Sequence, residues 1–223
     1  MASLDRCQSR KRSGELHLIF GPMFSGKTSE LLKRIRLYKL SDSACVIVRY
    51  AKDTRYTRHI ATHDGLATQA IPAVDLASVM CQIQEYDVIG IDEAQFFTDI
   101  EVCVRQLIEM GKIVIVDGLD ATYRRTAFQN MLNLVPLSCS VVKLSAVCMS
   151  CGSKASFTKR IGIETDIEVI GGFEKYMAVC RECYKQPCPE KSSPFKKLEK
   201  LEYRLNRLEN MNLQNCKREL TGL

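Results

Sequence analysis

Five short apolar runs punctuate the first two-thirds of the chain: Leu16–Phe20 (LHLIF), Cys45–Arg49 (CVIVR), Asp87–Ile91 (DVIGI), Lys112–Val116 (KIVIV) and Ser140–Leu144 (SVVKL). Their nearly continuous apolar character predicts strands covered on both faces. Between them, Lys27–Leu40 and Ile100–Met110 read as helices. In the second, Ile100, Val104, Leu107 and Ile108 mark one face, and Gly111 supplies a C-terminal stop. Val74–Tyr86 reads as a third helix. Alternation of strands and helices predicts a parallel α/β sheet.

The pattern changes near Cys148. From there to Cys183 the chain is rich in Cys, Gly and Thr, and helical periodicity disappears. The expected organisation is a basic N-terminal tail (1–14), an α/β domain (15–145), a small second domain (146–186) and a linker with a tail helix (187–223). Gln186–Pro194 carries three prolines, which suits a linker. Beyond it, Leu198, Leu201, Leu205 and Leu208 follow a 3-4-3 spacing, but Asn212 and Asn215 take the next two seam positions. A solvated or loosely docked amphipathic helix is expected rather than a coiled coil.

A 46% hydrophobic and 26% charged composition is that of a globular protein. The net charge of +6 invites a nucleic-acid reading, but it sits at the ends. Arg6, Arg10, Lys11 and Arg12 against Asp5, with eight Lys/Arg against five Asp/Glu in residues 190–223, account for all of it. The body between is neutral, so total charge gives no support to a nucleic-acid partner. No apolar run approaches the roughly 20 residues a membrane span needs, and the first fourteen residues lack the apolar stretch of a secretory signal. The cytoplasm is the expected compartment. Eleven cysteines in such a chain read as thiols, metal ligands or core residues rather than disulfides. Cys45, Cys81 and Cys103 lie in apolar segments and are expected in the core.

Gly21-Pro22-Met23-Phe24-Ser25-Gly26-Lys27-Thr28 matches G-x-x-x-x-G-K-[ST] at every fixed position, directly after a predicted strand and opening a predicted helix. A triphosphate needs many donors converging on it, and the exposed N–H groups of a helix N-terminus supply them. Lys27 would reach the β- and γ-phosphates of ATP, and the Thr28 hydroxyl would ligate Mg²⁺. A second carboxylate site is required at the end of a neighbouring strand, and Asp87-Val-Ile-Gly-Ile-Asp92-Glu93 provides it. Because consecutive strand residues point opposite ways, Asp92 is expected to face the metal and Glu93 the phosphoryl acceptor. Gln95 joins the nucleotide and Mg²⁺ set, and Phe96 and Phe97 place a flat wall beside the acid.

Cys148-x-x-Cys151 and Cys180-x-x-Cys183 flank one long loop. Two such pairs complete a tetrahedral four-sulfur site with no open position, hence a structural Zn²⁺. A redox C-x-x-C and unligated core cysteines are the alternatives. Little apolar surface is expected in the loop, so the metal would hold it together.

GPMFSGKT, KDTRY (Lys52–Tyr56), IDEAQFF (Ile91–Phe97), LNLVPL (Leu132–Leu137), AVCMSC (Ala146–Cys151), VIGG (Val169–Gly172) and VCREC (Val179–Cys183) stand in the order found in cytosolic-type (type II) thymidine kinases, and from about Leu16 to Tyr184 the chain closely resembles that family. The resemblance implies a P-loop NTPase (RecA-like) α/β sheet with a small zinc-anchored lasso. It also implies transfer of the ATP γ-phosphate to the 5′-hydroxyl of thymidine, a homotetramer, and feedback inhibition by thymidine triphosphate. Carried over by position, Glu93 looks like the catalytic base, and Asp53 and Arg55 flank the phosphates and the acceptor site. Met23, Phe96, Phe128 and Tyr176 look like the walls of the base pocket, with Tyr123 at another substrate-side position. Ile167, Glu168, Val169, Ile170 and Gly171 resemble the backbone segment that hydrogen-bonds the nucleoside, and Thr158 a neighbouring polar contact. Where the family usually has Gly this chain has Ala94 and Ala121. Tyr123 stands in place of a usual Phe, and Thr126-Ala127 in place of a basic-Pro pair. In the family the stretch from Ala121 to Ala127 lies beside the nucleoside site, so deoxyuridine or another deoxynucleoside is an expected substrate alongside thymidine. Competing readings are a nucleic-acid-stimulated ATPase of the same α/β class, and a zinc-ribbon binding module with a vestigial phosphate loop.

Overall fold

The computed structural model describes residues 13–53, 59–61, 67–162, 166 and 169–187. Along the chain these form β1 (Glu15–Phe20), α1 (Lys27–Leu40), β2 (Cys45–Tyr50), β3 (His59–Ala61), β4 (Ala67–Ala73), α2 (Met80–Ile83), β5 (Val88–Asp92), α3 (Ile100–Glu109), β6 (Ile113–Gly118), α4 (Gln129–Leu132), β7 (Ser140–Lys143), β8 (Ala146–Val147), β9 (Lys154–Ala155), β10 (Phe157–Arg160), β11 (Tyr176–Val179) and α5 (Arg181–Lys185). The first seven strands make one sheet in the order β3-β4-β2-β5-β6-β1-β7. Six run parallel, and β3 caps one edge antiparallel to β4. The α/β class is therefore as expected, and all five predicted strands are present.

Their continuous apolar character has a direct cause. Every residue of β5 is buried, as is nearly all of β6, because successive side chains enter two different cores. Leu16, Leu18, Ile89, Ile91, Val114 and Val116 pack with Ile100, Val104 and Leu107 of α3. Ile19, Ile47, Val88 and Ile115 pack on the other face with Leu31, Leu32 and Ile35 of α1. Each such aliphatic side chain withdrawn from water contributes about 1.5–3 kcal/mol. Gly90, at the centre of β5, lets α1 come close: a Cβ there would lie 3.3 Å from both Ile35 Cδ1 and Leu31 Cδ1.

Two expectations need correction. Val74–Tyr86 is not a continuous helix. It makes a 3₁₀ turn at Ala77–Val79 and the single turn of α2, with Asp75 accepting the Ser78 N–H at 2.9 Å. Only Leu76 and Ile83 of this stretch are buried, too few contacts to hold a longer helix against the sheet. Cys81 accordingly lies exposed on α2 rather than in the core, and Cys45 is half-buried, whereas Cys103 is buried as expected. Burial first, then the charge of Asp99, pushes the Cys103 thiol up to about 12, which makes it inert. Strands β3 and β4 have no counterpart in the sequence reading. Pro72 in β4 is exposed and lies beyond the three residues that pair with β3, so its missing N–H leaves no broken ladder bond.

Strands β8–β11 and α5 form a second layer, two antiparallel pairs. The chain divides into two compact units, Met1–Lys185 and Gln186–Leu223, and both layers lie in the first. The second is outside the described residues except for Gln186 and Pro187, and with it the expected helix through Leu198, Leu201, Leu205 and Leu208. The basic tail before Ser13, together with Arg55, Ile167 and Glu168, is outside them too. No helix among the described residues is long and apolar enough to cross a membrane.

Gly90→Val puts a branched side chain where α1 already touches the sheet. It is expected to lower stability by about 1–3 kcal/mol through overpacking, read as a shifted urea midpoint in far-UV circular dichroism.

Candidate active site

The loop between β1 and α1 ends on Gly26, the helix N-cap, at φ 79° and ψ 24°. This left-handed conformation suits glycine, and it turns the first N–H groups of α1 outward from the end of β1. No side chain caps them, so they stand as donors for an anion. Phe24 also takes a left-handed φ of 64°, and its ring stacks on Phe173 with centroids 4.1 Å apart. Met23 donates its N–H to Thr158 Oγ1 at 3.0 Å. The second layer is thus fastened to the phosphate loop. Lys27 is buried and its Nζ donates to the Pro22 carbonyl at 3.1 Å.

In a parallel sheet the C-terminal ends of β1, β5 and β6 meet at one edge. Thr28 Oγ1 donates to Asp92 Oδ1 at 2.9 Å, so the hydroxyl and carboxylate expected to share a cation are already together. These hard oxygen donors fit Mg²⁺. Burial first, then the charge of Glu93, pushes the Asp92 carboxyl up to about 6, against the pull of the Thr28 hydroxyl, Asp117 and Lys27. Asp117, on the neighbouring strand β6, is completely buried. Burial first and then the charge of Asp92 raise its carboxyl well above the usual range. Sequence reasoning missed Asp117, although the signal was available: the apolar run Ile113–Val116 ends in an acid just as β5 ends in Asp92.

Glu93 does diverge from Asp92, but not by strand alternation. It leaves β5 at φ 53° and ψ 44°, the left-handed region, and this turn redirects its side chain. Its N–H donates to Asp117 Oδ1 at 3.2 Å, and its Oε2 accepts from Gln95 Nε2 at 2.6 Å. Gln95 Oε1 in turn accepts the Leu119 N–H at 2.9 Å. Gln95, expected among the nucleotide and Mg²⁺ residues, therefore links Glu93 to the exit of β6.

Glu93 and Gln95 open into a cleft enclosing about 490 Å³, partly in contact with solvent, whose other walls are Met23, Phe96, Leu119, Thr122, Tyr123, Phe128, Thr158, Val169, Ile170, Gly171 and Tyr176. Every described residue expected on the substrate side lines it. Leu119 and Thr122 were missed, for want of any chemical signature. Phe96 is held by Tyr50, their rings 5.0 Å apart, while Phe97 is buried in the core instead of forming a wall. Asp53 is buried after the end of β2 and does not line the cleft. Arg160, also unanticipated, is buried behind the wall, its guanidinium 3.9 Å from the Tyr123 ring centroid. It donates to Tyr176 Oη at 2.7 Å and to the Asp166 carbonyl, and Tyr176 Oη donates to the Val169 carbonyl at 2.7 Å.

The four paired cysteines come together: their Sγ atoms lie within 4.8 Å of one another, with Cys151 and Cys180 3.7 Å apart. A tetrahedral zinc with Zn–S near 2.3 Å has S···S edges of about 3.8 Å, so the cluster fits that ion. Hydrogen bonds from the Ser153 side chain and backbone draw the Cys151 thiol down to about 6, while against the pull of Ser150 the neighbouring Cys151 and Cys180 push the Cys183 thiol up to about 12. The expectation of little apolar surface is corrected. Ala146, Cys148, Ala155, Met177, Ala178 and Val179 form a small core that Phe24, Phe157 and Tyr184 close over.

Against known proteins, the family profile described as thymidine kinase matches residues 14–184. The chain is 50% identical over 174 residues to "Thymidine kinase, cytosolic" of Bos taurus, covering 78% of this chain and 73% of that one. It is 52% identical over 178 residues to the protein of the same name from Gallus gallus, covering 79% and 80%. With "Thymidine kinase" of Vaccinia virus (strain Ankara) it shares 52% identity over 172 residues, 77% of this chain and 97% of the viral one.

Two outcomes follow from these geometries. A carboxyl whose folded pKa lies above its unfolded value favours folding most at low pH, and that support is lost as pH rises through the folded value. For Asp92 the window runs from about 4 to about 6. Without nucleotide or Mg²⁺, Asp92→Asn is therefore expected to be more stable than the parent at pH 8, by on the order of 2–3 kcal/mol, with the gain vanishing near pH 4. Urea titrations at the two pH values check this. For the cysteine cluster, elemental analysis is expected to return one zinc per chain, and chelation to expose residues 148–183 to proteolysis before the sheet.

Proposed function

The chain belongs to the thymidine kinase family, and from that premise we propose that it transfers the γ-phosphate of ATP to the 5′-hydroxyl of thymidine, giving the monophosphate for nucleotide salvage. The observation that carries this reading is that Met23 of the phosphate loop and Glu93 line one aromatic cleft. A nucleotide on the loop and a nucleoside in the cleft would meet there.

The N–H groups opening α1 and the Lys27 ammonium hold the triphosphate, with Gly21, Pro22, Phe24, Ser25 and Gly26 shaping the loop. Thr28 and Asp92 would hold Mg²⁺, which when bound would neutralise charge developing on the phosphate oxygens. Asp53, and Arg55 by resemblance, complete the phosphate side. Phe96, Tyr123, Phe128 and Tyr176 enclose the base, while Thr158 and the backbone of residues 167–171 supply polar contacts. The sugar oxygen bonds to the γ-phosphorus as the bond to the departing ADP oxygen breaks, and Glu93 accepts the hydroxyl proton. Phosphoryl transfer is loose, so most of what the carboxylate contributes is alignment of the oxygen. Cys148, Cys151, Cys180 and Cys183 hold a structural zinc that steadies the cleft wall. A homotetramer, feedback inhibition by thymidine triphosphate and a cytoplasmic location complete the proposal. The resemblance supports the first two, and the word "cytosolic" in relatives' names supports the third.

Labelled ATP incubated with thymidine, deoxyuridine and purine deoxynucleosides tests the reading directly. A labelled thymidine monophosphate is expected; free phosphate alone, or phosphate release stimulated by DNA, would transfer the chain to the ATPase class. Glu93→Gln is expected to bind thymidine normally in calorimetry while kcat drops by about 10²–10⁴. Turnover near the parent's would remove Glu93 from this role.

A further inference from the structure

Strand β6 runs Ile113-Val114-Ile115-Val116 and then places Asp117, without solvent exposure, where the pattern calls for another aliphatic side chain. A buried carboxylate is a poor choice for packing, so its contacts matter. Its Oδ1 accepts the N–H of Glu93 at 3.2 Å. Its Oδ2 is buried and receives no N–H or hydroxyl hydrogen bond. The residue it grips is one of four non-glycine residues with positive φ among the described residues. For a non-glycine residue such as Glu that conformation is disfavoured, and it persists only where the surroundings over-determine it.

Three bonds do so here. Asp117 holds the Glu93 N–H, the Glu93 carbonyl accepts the Phe96 N–H at 3.2 Å, and Gln95 holds the carboxylate. Only the first reaches the backbone of Glu93 from a different strand. Without it the turn loses its tie to β6, and any relaxation toward extended backbone would swing the carboxylate back along the strand.

We infer that Asp117 is a positioning residue for phosphoryl transfer: by accepting the Glu93 N–H it locks the left-handed turn that aims the Glu93 carboxylate into the cleft. This rests on the kinase reading and on Glu93 as its base, and goes beyond both by assigning Asp117 to neither nucleotide, nucleoside nor metal.

The test is a double-mutant cycle on the full chain with ATP and thymidine, with melting temperature and calorimetric thymidine affinity recorded for every variant. Asp117→Ala is expected to lower kcat by about 10–100-fold, the scale of a misplaced catalytic group, with both KM values within about threefold. Asp117→Asn, which keeps an acceptor oxygen, is expected to restore kcat to within about threefold of the parent. In a Glu93→Gln background Asp117→Ala is expected to cost nothing further, and the Mg²⁺ concentration for half-maximal turnover should match the parent's in every single variant at Asp117. Asp117→Val, which continues the aliphatic strand, serves as the second acceptor deletion should alanine prevent folding. Parent-like kcat in the deletions, an Asn variant as impaired as Ala, an added loss in the Glu93→Gln background, or a shifted Mg²⁺ requirement would each overturn the inference while leaving Glu93 as base. Parent-like turnover in Glu93→Gln alone would instead sink the base assignment, and this inference with it.

Discussion

Asp92 and Asp117 end adjacent strands of a sheet whose other neighbour at that edge, β1, delivers one buried ammonium, Lys27. Two carboxyls against one cation in a dry setting cannot all be ionised without a large cost. The upward displacement of both acids expresses that imbalance. Its functional meaning lies in what relieves it. A hard cation beside Asp92 and Thr28 would supply positive charge to the first of these acids, which supports the proposed Mg²⁺ site. Sites of this kind concentrate their electrostatics before the substrate arrives, in place of reorganising water afterwards. The parallel sheet is what permits it, since only parallel neighbours bring three C-terminal strand ends, and thus a loop and two acids, to one edge.

The same edge sets the direction of the Glu93 side chain. Strand β6 touches the exit of β5 twice, through Asp117 on the Glu93 N–H and through the Leu119 N–H on Gln95. Gly118 lies between these contacts, and a Cβ there would fall 2.7 Å from Gln95 Oε1. The glycine is needed because the glutamine passes so close. Glu93 is therefore held through a template that belongs to a neighbouring strand, which is how a residue on a turn can be aimed as firmly as one within a strand.

Most of the sheet was legible because its strands are buried on both faces and so carry uninterrupted aliphatic runs. Strand β4 was not, since Ala67–Ala73 has neither such a run nor alternation and contains Pro72. The segment 74–86 has helical composition but only two anchoring contacts, and periodicity cannot report how many neighbours a helix will find. At the site, the loop and the cysteine pairs could be read outright because their chemistry fixes spacing along the chain. The divergence of Glu93 from Asp92 was expected for a geometric reason that fails: alternation would have sufficed inside the strand, but the residue lies one step past its end, in a turn. Asp117 was readable by the same logic that found Asp92. Arg160 was not, because its partners Tyr123, Asp166 and Tyr176 converge on it only through tertiary packing.

That convergence shows how the backbone beside the cleft is held in place. A backbone group beside a cleft keeps its place only if something fixes it, and residues 166 and 169–171 belong to no strand or helix. Arg160 and Tyr176 replace the missing ladder. One guanidinium holds the Asp166 carbonyl and the Tyr176 hydroxyl, and that hydroxyl holds the Val169 carbonyl. Both anchors sit on paired strands, β10 and β11, which rest on the cysteine-bounded core. The rigidity of this wall of the cleft is thus borrowed, through two side chains, from the layer that the four cysteines close. Loss of order at the cysteines would reach the cleft by this route, although none of the four lines it.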